Sequence, residues 1–353
     1  MHELLTRVIT GNDLSEAEAE TLMRHLIDGE HSTSEKAAFL CALKIKGETP
    51  SEIVGFSKAL KAFASLDRIP GVSDVVGTGG DGQGTVNVST AAAINAASLG
   101  IKMAKHGNRA VSSRMGSADF LERLGYEFQF SRQQAVERLK SSNFLFILAP
   151  AFNRSFSAFS EARKKLQLPT VFNLMGPITN PADPDTVVVG SKSPEFVETY
   201  ARVLKATGKR GMVVVSSDGM DEISPYGTTL AYESLDGVRS YTIRPEDIMG
   251  REPGPRESIT GSGADELFMK NLNGLSGDNP DCTRFIALNT APVLVLNDLC
   301  ENLQEGYEIA MENLLSGRAM RQLVKIIPGL KGGMLDDIQA TGEGLRNQAV
   351  RGR

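Results

Sequence analysis

The sequence has few cysteines, no long apolar run and no excess of positive charge. Its three cysteines, Cys41, Cys282 and Cys300, are too widely spaced for a metal motif or a disulfide framework, which indicates a reducing cytoplasm. No apolar run reaches the length of about 18 residues that spans a bilayer, and no signal-peptide pattern is present. The net charge of −5 does not favour a general nucleic-acid surface. We therefore expect a cytoplasmic protein with neither a membrane nor a nucleic-acid partner.

The N-terminal part of the chain has helical patterns and no strand pattern. Three segments have apolar residues at helical spacing, and they read "LSEAEAETLMRHLIDG", "TSEKAAFLCALKIKG" and "TPSEIVGFSKALKAFAS". Thr33 or Ser34 is expected to cap the second helix, and Pro50 lies in the first turn of the third. Residues 1–68 are thus predicted to form a small all-helical domain. Its apolar stripes exceed what so small a domain can bury alone, which favours a homodimer.

Beyond residue 70, short apolar runs alternate with helical segments. The runs "DVVGT", "IKMAKHG", "FLFILAP", "TVVVGSK" and "GMVVVSSDG" are typical of buried strands. This alternation predicts an α/β domain over residues 70–330, with a largely parallel central sheet flanked by helices. The polar, glycine-rich residues 331–353 are expected to form a flexible tail.

The first strand leads into the segment "VVGTGGDGQGTVNVST", which holds five glycines between Gly77 and Gly84. Ser89 and Thr90 are a candidate cap for a following helix that is expected to begin near Thr90. A glycine loop between a strand and a helix start gathers backbone N–H groups, which suits an anion.

Two common phosphate-binding motifs do not explain this loop. The pattern G-x-G-x-x-G is present, but a dinucleotide site needs an acidic residue after the next strand, and cations stand there instead. The nucleotide-triphosphatase loop needs a Gly-Lys-Ser/Thr sequence, which does not follow. The segment still has the composition of an anion site.

Two later segments extend this site. "KHGNRAVSSRMGS" follows the second strand and combines three cations with short donors; the cations are Lys105, Arg109 and Arg114, and the donors are Asn108, Ser112, Ser113 and Ser117. "SSDGMDEISPYG" follows a later strand and offers Asp218, Asp221 and Glu222. Adjacent carboxylates at the carboxyl end of a strand suit Mg²⁺, although an acidic helix cap would have the same sequence.

Four motifs in this order and spacing resemble the anthranilate phosphoribosyltransferases. They are "GTGGDGQGTVNVST", "KHGNRAVSSRMGSADFLERLG", "PTVFNLMGPITNPA" and "GMDEISPYG", and the resemblance runs from the helical N-terminus to about residue 320. It implies a helical domain, joined by helices from about 155–182, and an α/β domain in a homodimer. It also implies transfer of phosphoribose from phosphoribosyl pyrophosphate to the amine of anthranilate, with Mg²⁺.

The resemblance also implies roles for particular residues, and none of them is a certain catalytic residue. The donor, phosphoribosyl pyrophosphate, would be held by Gly77, Gly79, Gly80, Asp81, Thr85, Asn87, Val88, Ser89, Thr90, Lys105, His106, Gly107, Asn108, Arg109, Ala110, Val111, Ser112, Ser113 and Ser117. The metal would be held by Ser89, Asp221 and Glu222. The acceptor would face Gly77, Asn108, Asn153 and Arg163.

One segment departs from the family pattern. Where the family carries His-Pro-Ala-Met, ten residues before Arg163, this chain has Asn153, Arg154, Ser155 and Phe156. We expect this change to alter the wall of the acceptor site. Two alternatives to the leading hypothesis stay open: a related phosphoribosyltransferase with another aromatic acceptor, and a non-catalytic relative that binds nucleic acid.

Overall fold

The computed structural model describes residues 2–110, 114–168, 170–235 and 237–330. Its N-terminal domain has four helices rather than the three predicted, because an additional short helix comes first: α1 (His2–Ile9), α2 (Glu16–Asp28), α3 (Thr33–Lys46) and α4 (Pro50–Ala62). Helix α1 has only eight residues, and Val8 is its buried anchor. A helix this short depends on tertiary packing, and eight residues offer only about two turns in which to recognise a helical pattern.

The starts of α2, α3 and α4 are fixed by capping boxes. Ser15, Ser32 and Thr49 each accept a hydrogen bond from the backbone N–H three residues later, and the glutamate at that position bonds back. The cap of α3 is therefore Ser32, and the prediction of Thr33 or Ser34 is wrong by one or two residues.

The larger domain contains a seven-stranded sheet with the order β3-β2-β1-β4-β5-β6-β7. The strands are β1 (Ser73–Gly77), β2 (Met103–Gly107), β3 (Phe144–Leu148), β4 (Thr186–Gly190), β5 (Arg210–Ser216), β6 (Thr229–Glu233) and β7 (Arg239–Ile243). Strands β1 to β5 are parallel, whereas β6 and β7 add an antiparallel edge. The five apolar runs identified in the sequence are the five parallel strands, so the predicted parallel sheet is confirmed.

The remaining helices connect the strands and cover the sheet. They are α5 (Val88–Ser98), α6 (Ser117–Leu124), α7 (Arg132–Ser142), α8 (Ala149–Phe152), α9 (Ser160–Leu166), α10 (Val171–Ile178), α11 (Pro194–Ala206), α12 (Pro245–Met249), α13 (Ala264–Ser276), α14 (Pro280–Leu296), α15 (Leu303–Leu315) and α16 (Arg318–Ile326). Among the described residues, no helix is both long and apolar enough to cross a membrane. The predicted tail, 331–353, lies outside the described residues.

Side chains alternate between the two faces of the sheet. On one face, Val75, Val188 and Val214 join a large apolar cluster with α5, α13 and α14. On the other, Val76, Val189 and Val213 share a cluster with α2, α3, α4, α10 and α11. One continuous apolar core thus joins the helical domain to the sheet.

The sheet is divided between β1 and β2. Strand β1 pairs with β4 at five positions and β2 pairs with β3 at five, but β1 and β2 pair only at Ser73 and Met103. The two strands diverge toward their carboxyl ends. The order of connection also reverses beside β1, since the chain runs from β1 to β2 and β3 and then returns to β4. Ligands of open α/β sheets bind at the carboxyl ends of strands at such a reversal.

Candidate active site

The glycine loop connects β1 to α5 at this edge of the sheet. Gly79, Gly80, Gly82 and Gly84 all have positive φ, from +64° to +74°. Residues with a side chain rarely adopt this conformation, so the loop requires glycine. A β-carbon added to Gly79 or Gly82 would meet no atom within 4 Å. The backbone of the loop therefore faces open space, as an anion cradle requires.

The helix after the loop begins at Val88, two residues before the predicted start. Asn87 is the N-cap residue, and its side chain makes no capping bond. The predicted cap of Ser89 and Thr90 is therefore wrong, because both residues lie in the first turn. The amide nitrogen of Asn87 and the hydroxyl of Thr90 are buried without a hydrogen-bond partner among the described residues. Buried donors of this kind at a helix N-terminus suit a polar or anionic ligand.

Three carboxylates meet beside the glycine loop. Asp81 comes from the loop itself, and Asp221 and Glu222 follow β5. One oxygen of each lies within 4.8 Å of the others. Asp221 is buried, and the other two are half-buried. The sequence places Asp81 only among the donor-binding residues, since the adjacency of β1 and β5 loops depends on a strand order that sequence patterns do not reveal.

Burial and mutual repulsion oppose the ionisation of these groups. For Asp221, burial and then the nearby charge of Asp81 raise the pKa to about 6. For Glu222, burial and the charge of Asp221 raise the pKa well above its usual range. Burial likewise raises the pKa of Asp81. A bound cation would remove this repulsion.

The cluster is chemically suited to Mg²⁺. Oxygen ligands from carboxylates are those that Mg²⁺ prefers. Asp81 Oδ2 and Glu222 Oε2 are buried and have no hydrogen-bond partner among the described residues. Ser89, the third predicted metal residue, is half-buried in the first turn of α5, and its role as a ligand stays a prediction.

Close approach of the backbone holds Asp221 in place. The N–H of Gly79 donates to Asp221 Oδ2 at 2.5 Å. An added β-carbon on Gly77 would overlap Oδ2 of Asp221, and one on Gly190 would overlap its carbonyl oxygen. Both strand ends therefore need glycine to let this carboxylate reach the loop.

Asp218, the other acid predicted in this region, has a different role. Its Oδ2 accepts a hydrogen bond from the Ser224 hydroxyl at 2.8 Å and lies 3.5 Å from a guanidinium nitrogen of Arg256. Arg256 in turn donates to Gln83 in the glycine loop at 2.5 Å. Thr85 forms an isolated bridge with Thr260 in the same segment. Residues 256–260 thus contact the C-terminal half of the glycine loop, at Gln83 and Thr85, and no sequence motif indicates this contact.

The second strand brings a buried lysine and histidine to the site. Lys105 is 1% exposed and its ammonium group donates to the carbonyl of His106 at 3.0 Å. Burial lowers its pKa, and the charges of Asp74, Glu222 and Asp221 oppose that effect. The buried Lys105 side chain therefore lies within electrostatic reach of the carboxylate cluster.

A polar network fills the divide between β1 and β2. Asp74 Oδ1 accepts the N–H of His106 at 3.1 Å, and Oδ2 accepts the side-chain N–H of Asn180 at 2.8 Å. Asn180 also donates to the carbonyl of Ala104 on β2 at 2.8 Å. Burial raises the pKa of Asp74 to about 6, against the opposing charge of Lys105. Neither Asp74 nor Asn180 is singled out by the sequence analysis.

The His106 ring is fixed by the segment after β3. Its Nδ1 lies 3.1 Å from the carbonyl oxygen of Gly176, so Nδ1 carries the proton and Nε2 is left as an acceptor. Burial lowers the pKa of His106 to about 4, so the ring is neutral. Nε2 is buried without a partner among the described residues.

The two predicted arginines of the second motif are engaged elsewhere in this structure. Arg109 is exposed and binds Glu122 through two nitrogens, at 2.5 and 2.6 Å, while Arg114 donates to the carbonyl of Gly261.

The other predicted donor residues of this motif lie at the end of β2 and the start of α6. Asn108 is exposed and accepts the N–H of Arg109 at 2.8 Å. Gly107 ends β2 and Ser117 begins α6, while Ala110 donates its N–H to Asp119 at 2.9 Å. Val111, Ser112 and Ser113 lie outside the described residues.

The predicted acceptor residues fall into two groups. Arg163, on α9, is half-buried, and its guanidinium group lies over the ring of Phe172 at 5.3 Å. Burial lowers its pKa, and no carboxylate of the described chain forms an ion pair with it. An unpaired cation on an aromatic ring suits the carboxylate of an aromatic acid.

The Asn153 side chain is buried and makes its hydrogen bonds within the protein. It is 2% exposed; its amide nitrogen donates to the carbonyl of Leu60 at 3.1 Å, and its oxygen accepts the N–H of Ser155 at 3.1 Å. It also forms an isolated bridge with Ala64. These contacts tie the segment to the end of α4 and do not favour a role in the acceptor wall. The side chain of Arg154 lies outside the described part of the structure.

Two models of known protein families match the two domains of this chain. The glycosyl transferase family, a/b domain, matches residues 70–320, and the glycosyl transferase family, helical bundle domain, matches residues 2–64. Anthranilate phosphoribosyltransferase of Thermoplasma acidophilum is 40% identical over 321 residues, covering 91% of this chain and 98% of that protein. The enzyme of Symbiobacterium thermophilum is 39% identical over 330 residues, covering 92% and 96%.

Solved structures of anthranilate phosphoribosyltransferases have the same fold as this chain. The anthranilate phosphoribosyltransferase of Thermus thermophilus is 36% identical with a TM-score of 0.86, over 93% of this chain and 99% of that one. The Saccharomyces cerevisiae enzyme in complex with phosphoribosyl pyrophosphate and Mg is 28% identical with a TM-score of 0.82, over 93% and 97%.

The fold and the site thus define a transferase of the glycosyl transferase family, with a helical bundle and an α/β domain. Within it, the chain belongs to the anthranilate phosphoribosyltransferases. The family and the two-part fold expected from the sequence are confirmed.

Proposed function

We propose that the protein transfers phosphoribose from phosphoribosyl pyrophosphate to the amine of anthranilate, with Mg²⁺, and releases pyrophosphate. This is a step of tryptophan biosynthesis. One observation carries the proposal: the positive-φ glycine loop after β1 and the carboxylates Asp221 and Glu222 after β5 meet at the carboxyl end of the parallel sheet, where Asp81 of the loop completes the cluster. This arrangement combines an anion cradle with a metal site, which a pyrophosphate leaving group needs.

The donor carries about five negative charges at neutral pH, and the site offers matching groups. Backbone N–H groups of the loop and of the first turn of α5 would bind phosphate oxygens, helped by the helix dipole. Lys105 adds a buried positive charge. Mg²⁺ held by Asp221 and Glu222, with Asp81 beside them, would supply the remaining charge for the leaving pyrophosphate.

The reaction at the ribose C1 needs little from acid–base groups. Displacement there passes through an oxocarbenium-like state, as at other glycosidic centres. Aromatic amines are neutral at pH 7 and already nucleophilic, so a strong base is not required. The neutral His106 ring offers Nε2 as a weak acceptor for an amine N–H, which supports a nitrogen nucleophile.

The acceptor site is proposed to hold a carboxylate on Arg163. The S. cerevisiae enzyme has been solved with 4-fluoroanthranilate, an aromatic acid of the same class as the proposed acceptor. The departure at Asn153 is accommodated by contacts with Leu60 and Ser155. The relatives named anthranilate phosphoribosyltransferase support anthranilate as the acceptor.

A direct assay tests this function. Purified protein with phosphoribosyl pyrophosphate and Mg²⁺ is expected to consume anthranilate, followed by the loss of anthranilate fluorescence. The control is the double variant Asp221→Asn, Glu222→Gln, in which turnover should be lost. If the parent protein at saturating donor and metal left anthranilate intact but consumed another aromatic amine, the alternative acceptor would replace this proposal.

We also propose a cytoplasmic homodimer. All three cysteines are free thiols, as a reducing compartment requires. In the helical domain, Ile9 and Ile45 are 57% and 86% exposed at the ends of α1 and α3. Large exposed aliphatic side chains on this domain support a dimer contact there. Sedimentation should give a dimer for the parent and a monomer for Ile9→Glu, Ile45→Glu; a monomeric parent at micromolar concentration would contradict the proposal.

A further inference from the structure

Lys192 extends over the glycine loop from the end of β4, the strand that pairs with β1 along its whole length. It lies two residues after β4, in a turn fixed by Ser191, whose backbone N–H donates to Val214 at 2.8 Å. The hydroxyl of Ser191 also accepts the N–H of Ser193 at 3.2 Å. From this turn the Lys192 ammonium group donates to the carbonyl of Gly80 at 2.9 Å. The loops after β1 and β4 are thus joined by one cationic side chain.

This position places a positive charge beside the metal cluster. Burial raises the pKa of Asp81 and of Asp221, and the charge of Lys192 acts against that rise in both. Lys105 acts in the same way on Glu222, from the β2 side. The three carboxylates therefore have one lysine on each flank, and the two lysines come from different strands.

The Lys192 ammonium group has capacity for a ligand. Of its three N–H donors, one binds the carbonyl of Gly80 among the described contacts. The side chain is exposed at the mouth of the site, unlike the buried Lys105. A flexible, hydrated cation that already contacts the cradle can reach an anion seated in it.

We propose that Lys192 is a further binding residue for the pyrophosphate group of the donor. Its ammonium group donates to a phosphate oxygen while keeping the carbonyl of Gly80, and it shares with Mg²⁺ the neutralisation of the pyrophosphate charge. This inference rests on the proposed function, because it assigns Lys192 to the same donor site. Its consequence is that less Mg²⁺ is needed to hold the donor.

The test measures binding of inorganic pyrophosphate to the whole protein by calorimetry at several Mg²⁺ concentrations. Lys192→Met, which keeps the length of the side chain without its charge, should weaken binding at least tenfold and shift the Mg²⁺ requirement upward. Lys192→Arg should restore most of the affinity. Lys205→Met is the matched control, since Lys205 is an exposed lysine on α11, and it should bind as the parent does.

A purely structural role would have a different result. If Lys192 only fixed the loop through its hydrogen bond to the carbonyl of Gly80, Lys192→Met would still weaken binding, but the salt dependence of pyrophosphate binding would stay as in the parent. The proposal expects a smaller salt dependence in Lys192→Met, because one ionic contact is lost. Binding of Lys192→Met within twofold of the parent would overturn it. If the parent bound no pyrophosphate with Mg²⁺, the proposed function itself would fail.

Discussion

Gly77 and Asp221 lie so close that a β-carbon on Gly77 would overlap the carboxylate oxygen Oδ2 of Asp221. The end of β1 and the segment after β5 can approach in this way only because Gly77 has no side chain. The same carboxylate belongs to the proposed metal cluster. The position of this proposed metal ligand therefore depends on a glycine that is not itself a ligand.

Gly77→Ala should displace the Asp221 carboxylate without unfolding the protein, since the far end of a side chain can move. We expect the affinity for Mg²⁺ to fall about tenfold, the equivalent of ~1.4 kcal/mol. The measurement is a Mg²⁺ titration by calorimetry in the presence of pyrophosphate. Gly237→Ala is the control, because an added β-carbon there meets no atom within 4 Å. Equal affinities in the two variants would show that the close approach has no bearing on the metal.

The double variant Asp221→Asn, Glu222→Gln should be more stable than the parent without metal. The folded pKa of Asp221, about 6, lies above its unfolded value, so ionisation opposes folding by an amount that grows as the pH rises from about 4 to about 6 and stays constant above that. At pH 7.5 the gain in the free energy of unfolding should be about 1–3 kcal/mol, and it should shrink as the pH falls toward 4. Urea denaturation with and without Mg²⁺ measures it. Mg²⁺ should stabilise the parent only; a double variant that Mg²⁺ stabilised equally would exclude this cluster as the metal site.

Substitutions at Arg163 and at Asn153 should affect different properties, namely binding of the acceptor and stability of the fold. Arg163→Ala should raise the Michaelis constant for anthranilate by about 10- to 100-fold, because a charged hydrogen bond of ~1.5–3 kcal/mol is lost, and should leave the constant for the donor alone. Asn153→Ala should instead lower the free energy of unfolding by about 1–3 kcal/mol, since the buried hydrogen bonds of Asn153 to the Leu60 carbonyl and from the Ser155 N–H are lost. Steady-state kinetics and denaturation of both variants decide this. If Asn153→Ala raised the Michaelis constant for anthranilate and Arg163→Ala only lowered the free energy of unfolding, Asn153 would belong to the acceptor site.

His106 should make the protein sensitive to mild acid. Its folded pKa of about 4 lies below the unfolded value, so the unfolded chain binds the proton more tightly and stability is lost as the pH falls from about 6.5 toward 4. Between pH 7 and pH 5 this group accounts for a loss of about 2 kcal/mol. His106→Asn should lose correspondingly less between the same two pH values, as measured by urea denaturation. His2→Gln, at an exposed histidine, should lose as much as the parent; so would His106→Asn if the ring did not titrate this way.

The sequence was most informative where one element carries the whole signal. The five parallel strands are continuous apolar runs, and the glycine loop is a single segment, so both could be identified without knowing their neighbours. Strands β6 and β7 were missed because each has only part of its residues buried and neither forms an apolar run. They exist because Ser216 and its neighbours on β5 offer a free edge for pairing.

Residues whose role depends on strand order could not be found in the same way. Asp81 and Asp221 are 140 positions apart, and only the placement of β5 near β1 brings them together. Lys192 needs the neighbouring position of β4 for the same reason. For Asn153, the acceptor contact stays a prediction from the family pattern, and its bonds with Leu60 and Ser155 are indicated by no sequence pattern.

The divided sheet has a consequence for how enzymes of this kind can diverge. The cleft between the ends of β1 and β2 is bridged by the bonds of Asp74 to His106, of Asn180 to Ala104 and of His106 to Gly176. None of Asp74, Asn180 and Gly176 needs to touch a substrate for these bonds to set the width of the cleft. A substitution at Asn180 would remove the bonds to Asp74 and Ala104 while every side chain proposed to contact a ligand stays the same. We therefore expect Asn180 to be a position at which related enzymes can change the width of the cleft without any change in their binding residues.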